Sequence, residues 1–401
     1  MNHVHSIEPR RDAGLNAHIY PSPIRHESRM LKISRTLAGA GIFSRICLIG
    51  MADGAEDVEE RERLDDVRQI WRLRTGARRR RGVIGKAMRF AGWWRSVWRA
   101  LDREQVQCIN AHSLSVLPLA VALKFRHRAR LIYDTHELET ETATSRGLRR
   151  VLSKAVERIL LPFADETSVV NDAIADWYRG QYRLRRVHVV KNVPYELSVP
   201  PSTAASPLRQ RLGIDDNHLV FLYQGVIGTG RGIDLLIDAF AGQDADRHLV
   251  FMGYGALVGE IISVARERPN VHHLPAVPPE VLPSYTMGAD VGLAMIEDVS
   301  LSYHYCLPNK LFEYLACGLP VIASDLPCMR DLIETESCGW LASPDSTALA
   351  ALVRVITRED VERLRPRALG VQRRHSWERE VPSLLAIYRD IPSRPDLSPS
   401  R

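Results

Sequence analysis

The 401-residue sequence contains no uninterrupted apolar run of about 18 residues, the length a membrane-crossing helix needs. Its start, MNHVHSIEPRRDAG, is polar and lacks the apolar stretch of a secretory signal. Cysteine is scarce: six stand at positions 47, 108, 306, 317, 328 and 338, with no Cys-x-x-Cys pair and no histidine pair at zinc-finger spacing. These absences argue against a membrane span, a disulfide scaffold and a zinc module. They predict free, mostly buried thiols in a cytoplasmic protein. The composition, 45% hydrophobic and 25% charged, excludes disordered and collagen-like chains.

The net charge of +6 is unevenly spread. Residues 1–200 carry 35 Lys/Arg against 23 Asp/Glu, whereas residues 201–401 carry 19 against 25. Halves of opposite sign point to two domains with different partners.

Periodicity supports that division. Apolar β-type runs fall at Ala17–Tyr20, Ile46–Gly50, Val106–Asn110, Leu131–Asp134, Thr167–Val170 and Val187–Val190. Helix-length segments such as Glu27–Ala40 and Leu148–Leu161 separate them. A Pro- and Ser-rich stretch follows, and the pattern resumes with runs at His218–Gln224, Leu249–Met252, Val271–Leu274, Asp290–Met295, Pro320–Ala323 and Gly339–Ala342. Strand–helix alternation implies parallel sheets, hence an α/β chain of two Rossmann-like domains. The expected layout is an N-terminal domain over 1–195, a linker over 196–216, a C-terminal domain over 217–375, and a last helix with its tail over 376–401.

Residues 61–105 break the alternation, with 14 basic and 5 acidic side chains, including Arg78, Arg79, Arg80 and Arg81. Val83, Ala87, Phe90, Trp94, Val97, Trp98 and Leu101 recur there at helical spacing. A Trp-rich helix with a cationic face suits an anionic membrane surface, with Trp93, Trp94, Trp98 and the arginine run facing it. The alternatives are a helix packed on the N-domain sheet and RNA binding. No nucleic-acid motif accompanies the run.

The chemistry concentrates in YCLPNKLFEYLACGLPVIASDLPCMR, Tyr305–Arg330. Pro308 suits a first helical turn and Gly318 a helix end. Asn309, Lys310 and Glu313 then lie near the N-terminus of a helix that follows a strand, where α/β sheets bind ligands. A cation there can meet phosphate, and a carboxylate can accept from two ribose hydroxyls. Glu313 could otherwise be a solvated helix carboxylate. Gly253-Tyr254-Gly255 with Gly259 imitates a dinucleotide fingerprint but has the wrong spacing, and Asp244-Ala-Asp246 imitates a metal motif in a connecting loop.

This stretch, with YQGVIGTGRGIDLLIDAF (223–240), VVKNVPYE (189–196) and LIYDTHELE (131–139), resembles glycosyltransferase family 4, whose members have the GT-B fold with an interdomain cleft. The resemblance implies a retaining, metal-independent transfer, without a bound cofactor, from a nucleotide-sugar donor to a saccharide or lipid-linked acceptor at the inner face of the plasma membrane. It implies no partner nucleic acid. Glu313 matches the second Glu of the family's Glu-x7-Glu motif, while Tyr305 stands where the first is usual. Arg231 matches one cation of the diphosphate clamp, and Val226 stands at the other, leaving Lys310 as substitute. Gly228 belongs to the glycine-rich loop facing phosphate, and Gly253 and Tyr254 lie beside the donor base. His136 matches the catalytic histidine of the N-domain, and Asn110, His112 and Glu137 are candidates for acceptor contact. The rival classes are a sugar-nucleotide epimerase, a non-catalytic scaffold and an NAD(P)-dependent enzyme.

Overall fold

The computed structural model describes residues 14–25, 27–52, 57–76, 82–197, 206–389 and 391. The chain forms two compact units: residues up to 191 together with those from 381 onward, and residues 192–380.

The first unit is built on an eight-stranded sheet of β1 (Leu15–Ile19), β2 (Arg45–Met51), β3 (Glu60–Arg63), β4 (Arg68–Leu73), β5 (Val106–Ala111), β6 (Arg130–Asp134), β7 (Glu166–Val169) and β8 (Val187–Val189). Their order is β3-β4-β2-β1-β5-β6-β7-β8, parallel except for the β3–β4 pair. Helices α1 (Ser28–Gly39), α2 (Val83–Asp102), α3 (Leu117–His127), α4 (Gly147–Leu160) and α5 (Asp172–Tyr182) supply the crossovers. The strand order reverses between β1 and β5, so the loops after β1, β5 and β6 lie at a topological switch point.

The second unit carries a six-stranded, all-parallel sheet of β9 (Leu219–Val226), β10 (Arg247–Tyr254), β11 (Val271–Pro275), β12 (Val291–Ala294), β13 (Val321–Ser324) and β14 (Gly339–Ala342). Their order is β11-β10-β9-β12-β13-β14. Along β9, Val220 and Leu222 enter one apolar layer, while Leu219, Phe221 and Tyr223 enter the other. That period-two division explains why both faces are helix-covered and why the strand reads as a continuous apolar run. Here the order reverses between β9 and β12.

Three expectations need correction. Residues 61–105 are not outside the sheet: β4 pairs with β2, and the edge strand β3 pairs with β4. Charges hid these strands from an apolar reading. Arg72 in β4 bonds Glu62 in β3 at 2.7 Å and approaches Glu60 at 3.1 Å, an ionic finish that suits a sheet edge.

The expected membrane-facing tryptophans also fail on α2. Trp93 is fully buried and donates from Nε1 to the Gly50 carbonyl at 2.9 Å. Val97 and Leu101 are buried with it, while Trp94 and Trp98 are half-buried. A Cβ on Gly92 would come within 1.8 Å of the Thr75 carbonyl, so the helix backbone is pressed onto the segment after β4. α2 is therefore a core-packed helix with Lys86, Arg95 and Arg99 on its exposed side. Arg78, Arg79, Arg80 and Arg81 lie outside the described residues.

Within the stretch expected to be linker, Pro207–Leu212 form a short helix capped by Ser206, whose hydroxyl accepts from the Leu208 amide. Arg209 anchors it with a 2.6 Å bond to Asp290.

Candidate functional site

In the second unit, the segments that follow β9 and β12 meet at the switch point. The loop after β9 turns through Gly230 and Gly232, with φ of 78° and 65°. A Cβ on Gly230 would lie 2.8 Å from the Tyr303 ring, and one on Gly232 would lie 2.7 Å from Met295 Cβ. Only glycine satisfies both the left-handed backbone and the close approach. Glu297 ties the two segments together: its amide donates to the Gly230 carbonyl, and its carboxylate accepts from the Gly232 amide.

The helix Asn309–Ala316 begins after Pro308, which holds an extended ψ of 142°. Leu311, Phe312, Tyr314 and Leu315 bury its inner face. That packing leaves Lys310 and Glu313 near the β9 end. Gln224 Nε2 donates to Glu313 at 2.6 Å, and Gln224 Oε1 accepts from Thr286 Oγ1 at 2.8 Å. Gln224 is itself buried, so the carboxylate is aimed by a fixed amide.

Lys310 is the more unusual group. Its Nζ lies 3.4 Å from the centroid of the Tyr223 ring and is buried without a hydrogen-bond partner among the described residues. Burial first, and then the Arg231 guanidinium, push its pKa well below the ordinary lysine value, against the pull of Glu313. Arg231 is half-buried and sits 5.0 Å over the Tyr303 ring. A buried ammonium lacking an acceptor is costly unless an anion completes it.

The other candidates of this unit spread around these groups. Asn309 and Tyr254 are exposed, Gly228 is half-buried, and Gly253 is buried where a Cβ would meet the Gly225 carbonyl at 1.8 Å. The need for glycine at 253 is strand packing. Tyr305, which stands in place of the usual Glu, packs edge-on against His304 at 4.9 Å. Val226 is exposed at the end of β9.

In the first unit, the carboxyl ends of β1, β5 and β6 converge on Asp134. Arg29 from α1 grips this buried carboxylate with Nη2 at 2.6 Å and Nε at 3.0 Å, and also donates to the Val190 carbonyl and Ser168. Burial would raise the Asp134 pKa, but Arg29 with His112 and His136 holds it well below the usual carboxylate range. His112 Nδ1 stands 2.9 Å from Asp134, and His112 Nε2 stands 2.8 Å from His18 Nδ1. Burial depresses the pKa of both imidazoles.

His136 is the partly open member, its Nε2 lying 3.5 Å from Asp134 and its ring resting near Tyr20 and against His112. Glu137 is exposed beside it. Direct acceptor contact through Asn110 and His112 does not fit the structure. Both are buried, and Asn110 is committed to Asn16 at 2.9 Å and Tyr388 at 2.7 Å. His112 is likewise held, between Asp134 and His18.

His112, Asp134 and His136 bring three potential metal ligands within 4.8 Å of one another. Arg29 already engages both Asp134 oxygens, so a divalent ion would sit against a guanidinium. The set is better matched to hydrogen bonding than to metal ligation.

Sequence reasoning missed Arg29, Asp134, His18, Gln224, Thr286 and Tyr223. Asp134 lay two residues from His136 within the quoted motif. Tyr223 and Gln224 open the stretch 223–240, and Arg29, His18 and Thr286 are brought in by the fold from distant positions.

Residues 26–193 match the family described as Glycosyltransferase Family 4, and residues 218–358 match Glycosyl transferases group 1. A curated relative, the D-inositol 3-phosphate glycosyltransferase of Geodermatophilus obscurus, is 28% identical over 316 residues, covering 73% of this chain and 63% of the relative. The match thus spans less than two thirds of that relative's length. Among solved structures, sucrose-phosphate synthase from Thermosynechococcus elongatus superposes with a TM-score of 0.78 at 17% identity, covering 94% of this chain and 99% of that one. The Anabaena protein HepE, solved with UDP-glucose, gives 0.69 at 16% identity, covering 93% and 99%. With both halves of the chain matched in order and the fold shared, this protein belongs to the group 1 glycosyltransferases and has the two-domain, Rossmann-like GT-B fold.

Proposed function

We propose that the chain transfers a sugar from a nucleotide-sugar donor to a lipid-linked or phosphorylated saccharide acceptor. The observation that carries this reading is the pairing, on one helix, of a lysine nitrogen buried without an acceptor among the described residues (Lys310) and a carboxylate aimed by a buried amide (Glu313). In this reading Lys310 and Arg231 hold the diphosphate, Glu313 accepts from the ribose hydroxyls, and Asn309, Gly228 and Tyr254 line the donor. HepE's complex with UDP-glucose and the phosphorylated acceptor named for the Geodermatophilus relative agree with it.

The proposed route retains anomeric configuration and requires neither a resident metal nor a cofactor. The C1–O bond to the leaving phosphate breaks, a bond from C1 to the acceptor oxygen forms on the same face, and the acceptor proton passes to the phosphate oxygen. Lys310 and Arg231 stabilise the charge that builds on the departing diphosphate. His136, steadied by Asp134, orients the sugar during transfer.

Among the described residues no helix is long and apolar enough to cross a membrane. The lipid-linked acceptor would therefore be met from the surface, which we place at the inner face of the plasma membrane. Proton NMR of the product anomer tests the mechanism: an α-linked donor should yield an α-linked product, and an inverted product would overturn retention. Absence of transfer from every nucleotide sugar to lipid-diphosphate saccharides would overturn the enzyme reading.

A further inference from the structure

Helix α4 is turned inside out. Its inner face carries Glu157, which is fully buried and accepts from the hydroxyls of Tyr133 at 3.0 Å, Tyr178 at 2.8 Å and Tyr182 at 2.6 Å. Arg150 and Lys154 pair with Glu141. Its outer face carries Leu148, Val151, Leu152 and Ile159, between 56% and 73% exposed.

At about 100° per residue, Leu148, Leu152, Ala155 and Ile159 fall within about 60° of one another, and Glu157 points the opposite way. Arg149 and Arg158 stand on the two sides of that stripe. Both are exposed, and among the described residues neither forms an ion pair. An apolar groove between α4 and the start of α3, lined by Leu114, Pro118, Leu148, Leu152 and Val156, widens the surface. Past the end of α4, exposed Phe163 and Phe125 meet edge to face at 5.5 Å.

We infer that α4 is the segment through which this chain lies on an anionic bilayer surface, its leucine–isoleucine stripe entering the headgroup boundary and Arg149 and Arg158 meeting lipid phosphates. An exposed apolar stripe edged by free cations matches acidic lipid in both chemistry and shape. A second copy of this face matches poorly, because pairing two such stripes would bring the arginine rows together. The inference rests on the reading that the acceptor is membrane-borne, and it moves the docking surface from α2, whose tryptophans face the core, to α4.

The test is sedimentation of the full chain with phosphatidylcholine vesicles, with and without phosphatidylglycerol. The wild type should bind only the anionic vesicles and release as salt rises. L152S/I159S should lower the partition coefficient by at least about tenfold, and R149A/R158A by about fivefold per arginine. These positions are exposed, so thermal unfolding of each variant should match the wild type. I84S/M88S, at the exposed start of α2, should bind as the wild type does. Wild-type binding that survives both α4 variants overturns the α4 assignment and leaves the membrane reading standing. A wild type that ignores anionic vesicles overturns both, as does a dimer lost on L152S/I159S with no vesicle binding.

Discussion

Gln224, near the carboxyl end of β9, donates a 2.6 Å hydrogen bond to Glu313 and is itself held by Thr286. The carboxylate proposed to bind ribose is thus aimed by a β9 amide that the end of a short helix, Leu282–Thr286, holds in turn. Glu313→Ala should weaken nucleotide binding by about 10- to 100-fold, the range for losing hydrogen bonds to a charged group. Gln224→Ala should cost less, about three- to tenfold, because the carboxylate remains but loses its aim. Calorimetric titration of UDP into each variant checks the ranking.

Lys310 sets a pH dependence. Burial, then Arg231, depress its pKa in the free protein. A diphosphate placed beside it raises that pKa, so binding takes up a proton at pH values between the free-state and bound-state pKa. Affinity should therefore fall as pH rises from the free-state pKa towards the bound-state one. Titrations in two buffers of different ionisation heat would reveal the uptake, and Lys310→Met should abolish it while weakening binding.

Asp134 forms a buried ion pair with Arg29. Asp134→Asn leaves Arg29 buried without its counter-ion and should cost about 3–5 kcal/mol of stability. Denaturant unfolding measures this. Replacing both residues with apolar ones should be milder than either single change.

The second unit carries a histidine chain on the sheet: His218 to His248 at 2.9 Å, and His248 to His272 at 2.9 Å. Burial first, then the flanking histidines, push His248 down to about 4. Its folded pKa lies below the unfolded value of about 6.5, so its contribution is fully present above the unfolded pKa. It is lost as pH falls from about 6.5 towards 4. A plot of thermal midpoint against pH should drop over that window, and His248→Gln should flatten it.

Burial also ranks the α2 variants. Trp93→Ala should destabilise by about 3–5 kcal/mol through the cavity it leaves. Arg95→Ala and Arg99→Ala on the exposed side should stay within about 0.5 kcal/mol. Thermal unfolding separates the two classes.

Twelve of the strands could be read from sequence because each overlaps an apolar run bounded by helix-length segments or turns. β3 and β4 could not, since Arg72, Glu60 and Glu62 satisfy one another across the edge. Periodicity located the amphipathic helices but not the direction of their faces. α2 buries Trp93 because Gly92 lets its backbone press on Thr75, and α4 buries Glu157 because three tyrosines receive it. Both outcomes depend on partners far along the chain. Lys310 and Glu313, the groups proposed to hold the donor, were legible because they share one turn of helix. Gln224 and Thr286 were not, being 89 and 27 residues from Glu313 (313 − 224 and 313 − 286) and joined to it only by the fold.

The helix Asn309–Ala316 and the loop after β9 are proposed to form a nucleotide-sugar site. Thermal unfolding of the full chain across a panel of nucleotide sugars tests it most directly, since a ligand that binds the folded state alone raises the midpoint. At least one donor should raise the midpoint of the wild type and raise that of Glu313→Ala and Lys310→Met by less at the same concentration. A wild type indifferent to every nucleotide sugar, or a shift undiminished in both variants, would contradict this reading.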